Sequence, residues 1–196
     1  LMYMVLGLWG GLVGASLSLV VRLELGISGV WLGDEYLYNM LVTTHGIMMV
    51  FFLVMPFMMG GFGNWLMPPM LGLGDMALPR LNSLSLLLLV LALGLSGLSM
   101  VVLGGAAGWT MYPPLMLKSF SPSVSVDVMV LGLHIAGLSS ILGSINFIVT
   151  LFVYLLQGGG LLQTSLFVWA EVVAAGLVLI TVPVLAGALT MVLMDR

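Results

Sequence analysis

Four Lys and Arg and seven Asp and Glu are the only charged side chains in 196 residues, and their placement constrains the fold more than any other feature. They stand at Arg22, Glu24, Asp34, Glu35, Asp75, Arg80, Lys118, Asp127, Glu171, Asp195 and Arg196. Between them run the charge-free stretches 1–21, 36–74, 81–117, 128–170 and 172–194, each long enough for the roughly 20 apolar residues of a helix that crosses a bilayer. A soluble domain carries about 25% charged residues. Here the figure is 6%, against 62% hydrophobic residues and a mean hydropathy of +1.29, which excludes a water-soluble globular fold. Nucleic-acid binding by a basic face is excluded too, because four cations cannot neutralise a phosphate backbone. With no Cys there is no disulfide, thiolate metal site, iron–sulfur cluster or cysteine nucleophile.

In lipid the backbone must satisfy its own hydrogen bonds, and the alternating segments of about ten residues that mark a membrane barrel are missing. The expectation is an all-α membrane protein of one domain, residues 1–196, with five spans at about 2–22, 37–66, 82–103, 127–156 and 166–193. Gly7, Gly10, Gly11 and Gly14 give the first span the four-residue spacing that lets another helix approach closely, and Gly132, Ala136, Ser140 and Ser144 repeat the device in the fourth. Pro56, Gly60, Gly61 and Gly63 should loosen the second span, Pro68-Pro69 should close it, and Pro183 should bend the fifth. The loop 104–126 is turn-rich from Gly104-Gly105 onward, and Gln157-Gly158-Gly159-Gly160 divides the last two spans. Arg22, Lys118 and Arg196 fall on one side and Arg80 on the other, so the charges vote for the first side facing the cytoplasm or matrix.

Few polar groups lie at membrane depth. His45 reads either as an imidazole donating to a neighbouring helix's carbonyl or as a metal or haem ligand, with Gly46 leaving room for a flat macrocycle. His134 reads first as a hydrogen-bonded core histidine. Glu171, near the start of its span, is expected exposed or paired with the positive helix end. The 17 Met are core filler. No phosphate-binding Gly-Lys loop, His-Glu-x-x-His or Gly-x-Ser-x-Gly elbow is present.

Longer patterns then become recognisable. Arg22-x-Glu24-x-Gly26, Gly33-Asp34-Glu35-x-x-Tyr38-Asn39 and Thr44-His45-Gly46 are followed by Phe51-Phe52-x-x-Met55-Pro56 and Gly60-Gly61-Phe62-Gly63-Asn64-Trp65. Gly74-Asp75-Met76-Ala77-x-Pro79-Arg80-Leu81-Asn82, Gly108-Trp109-Thr110-x-Tyr112-Pro113-Pro114 and Leu133-His134-x-Ala136-Gly137-x-Ser139-Ser140 through Asn146-Phe147 come next. This succession resembles subunit I of the cytochrome c oxidases, in the haem–copper oxidase superfamily, and covers almost the whole chain.

The resemblance implies a five-helix, N-terminal portion of a twelve-helix bundle in which electrons from cytochrome c pass through a low-spin haem a to a high-spin haem a and copper. Dioxygen is reduced there to water and protons are pumped. By the same resemblance His45 would be one axial ligand of the low-spin haem iron, and Arg22 would meet that haem's formyl group; a cation near the ring raises its reduction potential. Asp75 resembles the entrance acid of a proton path, with Asn64, Asn82, Asn146, Ser139 and Ser140 as water-holding residues along it. Asp34, Glu35 and Tyr38 resemble the end of a second proton path. Glu24 with the Gly29 carbonyl resembles part of a peripheral Ca or Na site, and Trp109 and Tyr112 match a loop near the haem propionates.

Departures accompany the matches. The second low-spin ligand, the high-spin ligand, the copper histidines and the inner glutamate of the proton path lie in parts of the family beyond this chain, which has two histidines. Glu171 occupies a position that is usually uncharged. The implied partners are the remaining helices of subunit I, oxidase subunits II and III, cytochrome c and membrane lipid, in the mitochondrial inner membrane or, alternatively, a bacterial plasma membrane. The chain is expected to be a partial sequence or one piece of a split subunit, and the family-implied orientation opposes the charge vote. A quinol-fed oxidase and a haem-free transport or assembly protein on the same scaffold are the alternatives.

Overall fold

The computed structural model describes residues 1–102 and 108–196. Five long helices account for most of them: α1 (Met2–Gly26), α2 (Glu35–Met70), α3 (Pro79–Val101), α4 (Ser125–Leu156) and α5 (Leu166–Asp195). The shortest has 23 residues; at about 1.5 Å per residue that exceeds a hydrocarbon core of about 30 Å. Each helix covers one expected span, with ends shifted by a few residues. The expected last residue of the third span, Leu103, and the pair Gly104-Gly105 lie outside the described residues.

Two helix starts show a clear local chemical reason. At α2 the Asp34 Oδ1 accepts from the backbone N–H of Tyr36 at 2.9 Å and of Leu37 at 3.4 Å, with Glu35 in the first turn where a negative charge suits the dipole. Helix α3 begins on Pro79, and its entry is held by α4 instead: Ala77 N–H donates to Thr150 Oγ1 at 3.1 Å and Leu78 N–H to Asn146 Oδ1 at 3.0 Å. Helix α4 stops at Leu156, where Gly158, at φ +90, turns the chain towards the single 3-10 turn Leu161–Gln163. Pro183 lies inside α5 without ending it.

Helix α2 is not uniform. After Ile47 it widens into π-helical turns over Met48–Val54 and Pro56–Gly63, returning to α geometry at Asn64–Met70. Pro56 has no N–H to donate, and its ring would clash with the carbonyl four residues back, that of Phe52; a wider turn relieves both problems. Helix α1 packs on this widened stretch through its glycines. A β-carbon placed on Gly10 would lie 2.9 Å from the Phe52 carbonyl oxygen, one on Gly7 3.1 Å from Phe57 Cβ, and one on Gly14 3.1 Å from Met49 Sδ. The small residues foreseen for close approach are therefore used for it, with α2 as the partner.

The same economy joins α3 to α4. Gly132 sits against Ala92 and Ser96, all three buried, and Ser125 Oγ donates to Ser99 O at 2.7 Å. Ile47, Met48, Phe52, Leu89, Met129, Val130 and Leu133 fill the centre of the bundle. A second cluster, including Met67, Met76, Phe147, Leu151, Val168 and Ala175, closes the end that carries Asp75. At the opposite end Arg196 ties α5 to the start of α4: its Nε meets Asp127 Oδ1 at 2.7 Å, Nη2 donates to Ser123 O at 3.0 Å, and Nη1 donates to Met116 O.

Candidate functional site

The half-buried His45 lies on the last α-helical turn of α2 before the widened stretch. Its Nδ1 is 2.8 Å from the Gly14 carbonyl of α1. A carbonyl only accepts, so Nδ1 carries the hydrogen and the neutral ring keeps its lone pair on Nε2. The reading of an imidazole bonded to a neighbouring helix's carbonyl applies to Nδ1, and Nε2 has no protein partner among the described residues. A bond of this kind fixes the ring's orientation and raises the basicity of its other nitrogen.

Beside it, a β-carbon built on Gly46 would meet only the Trp109 ring, at 4.0 Å. Thr43 brings that ring there, since its Oγ1 accepts from the Gly108 N–H at 3.0 Å while donating to Asn39 O at 2.7 Å. Trp109 and Tyr112 themselves are exposed, at 55% and 70%. The Gly46 position is thus open apart from the indole edge. Arg22 is exposed on α1, about 12 Å along the helix from Gly14 at the usual rise. His134 is half-buried, with Nδ1 2.9 Å from Val130 O and Nε2 3.1 Å from Thr190 Oγ1.

At the other end, Asp75 is exposed on the loop between α2 and α3 and borders a cleft of about 290 Å³ with Asn64, Trp65, Pro68, Met76, Pro79 and Asn82. Asn64 Nδ2 donates to Gly60 O at 2.8 Å and to Asn82 Oδ1 at 3.1 Å. Asn64 also lines a second, inner cavity of about 40 Å³ with Tyr3, Ser139, Ser140 and Ser144, which is room for ordered water. One side chain therefore borders both the outer and the inner space. Ser139 Oγ donates to Ser85 O at 2.5 Å, whereas Ser140 Oγ turns back to Ala136 O at 3.0 Å.

Tyr3, which lines this inner space, and Ser85, bonded to it, were not singled out from the sequence as part of the site. Tyr3 Oη lies 2.5 Å from Ser85 Oγ, and because that hydroxyl donates to Asn82 O at 2.8 Å, the phenol is the donor. Their only sequence signal is a hydroxyl inside an otherwise apolar run. Asn146, fully buried, spends Oδ1 on the α3 entry and leaves Nδ2 without a partner among the described residues.

Glu171 corrects an expectation. Instead of an exposed or dipole-paired carboxylate, it is only 8% exposed, with Oε2 wholly buried and unpartnered among the described residues. It packs where α5 meets the end of the π-helical stretch, Oε2 lying 3.3 Å from the β-carbon position of Gly63, beside the Phe147 ring. The neighbours Val168 and Ala175 share its helical face and are fully buried, which draws it inward.

On the far side, Glu24, Gly29, Gly33, Asp34, Glu35, Tyr38 and Asn39 surround an open depression of about 780 Å³. Glu24 Oε2 accepts from the backbone N–H of Trp31 at 3.2 Å and Leu32 at 2.9 Å. Among the described residues no three His, Cys, Asp or Glu side chains gather closely enough to hold a metal by themselves.

The family model for cytochrome c and quinol oxidase polypeptide I matches residues 1–196. Cytochrome c oxidase subunit 1 of Pecten maximus is 49% identical over 197 residues and that of Mytilus edulis 46% over 200. Both alignments take in all of this chain but only 41% and 36% of the relative, so the chain spans about two-fifths of their length. Matched along its whole length, with five membrane-length helices in the order the motifs foretold, the chain belongs to the cytochrome c and quinol oxidase polypeptide I family.

Proposed function

We propose that this chain serves in the catalytic subunit of a cytochrome c oxidase, where His45 would hold the iron of the low-spin haem a and Asp75 would form the entrance of a proton path. The observation that carries the reading is His45, anchored through Nδ1 to Gly14 O at 2.8 Å beside the open Gly46. The haems and copper of the complete subunit supply electron transfer and the reduction of dioxygen to water.

This chain's residues do the rest. His45 Nε2 would hold the haem iron, and the Gly14 carbonyl keeps the ring in the tautomer that leaves that nitrogen its lone pair. Trp109 and Tyr112 border the same face, and Arg22 brings the one cation on α1. Asp75 takes protons from bulk water at the mouth of the cleft. Asn64 and Asn82 hold water at its floor, and Tyr3, Ser85, Ser139 and Ser140 continue the hydrogen-bonding surface inward. Asn146 keeps the α3 entry in place beside it. Asp34, Glu35 and Tyr38 border a second wet region on the opposite side. Glu24 Oε1 and the Gly29 carbonyl are hard oxygens suited to a Ca or Na ion, with water and other carbonyls completing the shell.

The remaining helices of subunit I, subunits II and III and cytochrome c are the partners in this reading. Resemblance to mitochondrial versions supports the mitochondrial inner membrane as its place. Reduced-minus-oxidised spectra of the assembled complex test the ligand assignment. His45→Ala is expected to abolish the low-spin haem band and His134→Ala to leave it intact. A normal band in the His45 variant would sink the assignment.

A further inference from the structure

We propose that Glu171 is a proton-holding carboxyl set beside the Asp75 path, loaded and unloaded across the Gly63–Asn64 turn. The proposal rests on the proton-path reading of Asp75 and Asn64.

Its geometry is that of a carboxyl with nothing to neutralise it. Oε2 is buried by this chain's own atoms, has no partner among the described residues, and lies 3.3 Å from where a β-carbon of Gly63 would stand, on the side where the Phe147 ring also packs. The chain has four cations. Arg196 is committed to Asp127 at the far end of α5, Arg22 and Lys118 also belong to that far end, and Arg80 is exposed on the first turn of α3. The α2 stretch packed on Glu171, residues 56–70, contains no ionisable side chain. Helix α4 brings Asp127, His134 and Tyr154; the first is paired with Arg196, the second with Thr190, and the Tyr154 ring packs under Gly159. On α5 itself the other ionisable groups are Asp195 and Arg196.

An ionised carboxylate among apolar side chains with no cation and no donor is far costlier than the neutral acid. The balanced step is therefore carboxylate plus a proton delivered from cleft water, giving the acid with its hydrogen on Oε2, and the reverse. The route is short. Glu171 touches Gly63, and the next residue, Asn64, lines both the Asp75 cleft and the inner cavity. Helix α5 places the carboxyl about 7.5 Å past its first residue, within reach of the Asp75 end of the bundle.

The test uses the intact oxidase complex containing this chain. Infrared spectra of the wild type should contain a protonated-carboxyl carbonyl band that shifts in D2O within the turnover time and is lost in Glu171→Gln. In parallel, dicyclohexylcarbodiimide reacts with protonated carboxyls in apolar surroundings: the carboxyl oxygen bonds the central carbon and the proton passes to nitrogen. Peptide mass mapping of the wild-type complex should find that adduct on Glu171, a readout that does not depend on any variant folding. A band retained in Glu171→Gln, or an unlabelled Glu171, overturns the proton-holding role. A band that belongs to Glu171 but does not shift in D2O overturns the exchange. Asp75→Asn should slow that exchange several-fold; if exchange keeps its wild-type rate, the link to Asp75 is wrong. Undiminished turnover in Asp75→Asn would instead remove the Asp75 path while leaving the Glu171 band and adduct as they are.

Discussion

Gly10 and Gly11 are neighbours on α1, yet a methyl group added to each should have opposite consequences. At Gly10 the new carbon would stand 2.9 Å from the Phe52 carbonyl oxygen and 3.1 Å from Phe52 Cβ, both fixed by the α2 backbone. At Gly11 it would stand 2.8 Å from Leu53 Cδ1, the end of a side chain that can rotate away. Ordinary contact begins at 3.4 Å, so Gly10→Ala must move the two helices apart by about 0.5 Å, whereas Gly11→Ala need only change a rotamer. Ala gains about 1 kcal/mol of helix propensity over Gly, equally at both sites, so it cancels in the comparison. What remains is the overpacking strain, about 1–3 kcal/mol against Gly10→Ala. The separation also stretches the bond from His45 Nδ1 to Gly14 O one turn away, so the low-spin haem spectrum should be perturbed only in that variant. Detergent-induced unfolding of the purified complex, followed by haem absorbance, measures both effects. Equal midpoints, or a less stable Gly11→Ala, would refute the close-approach argument.

Asp75→Asn should lower turnover or the number of protons pumped per electron, measured in reconstituted vesicles; both remaining at wild-type values would count against an entrance role. Asn146→Ala removes the acceptor that holds Leu78 N–H, and an orphaned buried donor costs about 1–3 kcal/mol. The same unfolding assay should register that loss, and an unchanged midpoint would mean that water replaces the amide there.

The five spans were legible because charge is so scarce that its positions mark the loops. The glycine spacing of α1 was legible for a similar reason, since small residues repeated every fourth position serve one face. For His45, the bond to a neighbouring helix was legible, because an imidazole at membrane depth needs an acceptor and the small residues of α1 bring a carbonyl near. The widened stretch of α2 was foreseen only as a loosening, because Pro56 shows where regular geometry fails but not how the chain accommodates it. Tyr3 and Ser85 escaped because one hydroxyl in an apolar run has no pattern. Glu171 was misjudged for a physical reason: five residues from a helix start says how deep a group sits along the membrane normal, while burial depends on which side of the helix its neighbours occupy. Gly63 and Phe147, distant in sequence, decided that.

Many hydroxyls in the spans bond the carbonyl four residues back on their own helix: Thr43 to Asn39, Thr44 to Met40, Ser140 to Ala136, Ser144 to Ser140, Thr150 to Asn146, Thr181 to Leu177 and Thr190 to Ala186. During synthesis such a helix can leave the insertion machinery with those groups already satisfied and wait in lipid alone. Other polar groups bond across helices: Tyr3, His45, Asn64, Ser125, His134 and Ser139. Folding in the bilayer thus separates into an inexpensive insertion and a later docking in which those cross-helix bonds form.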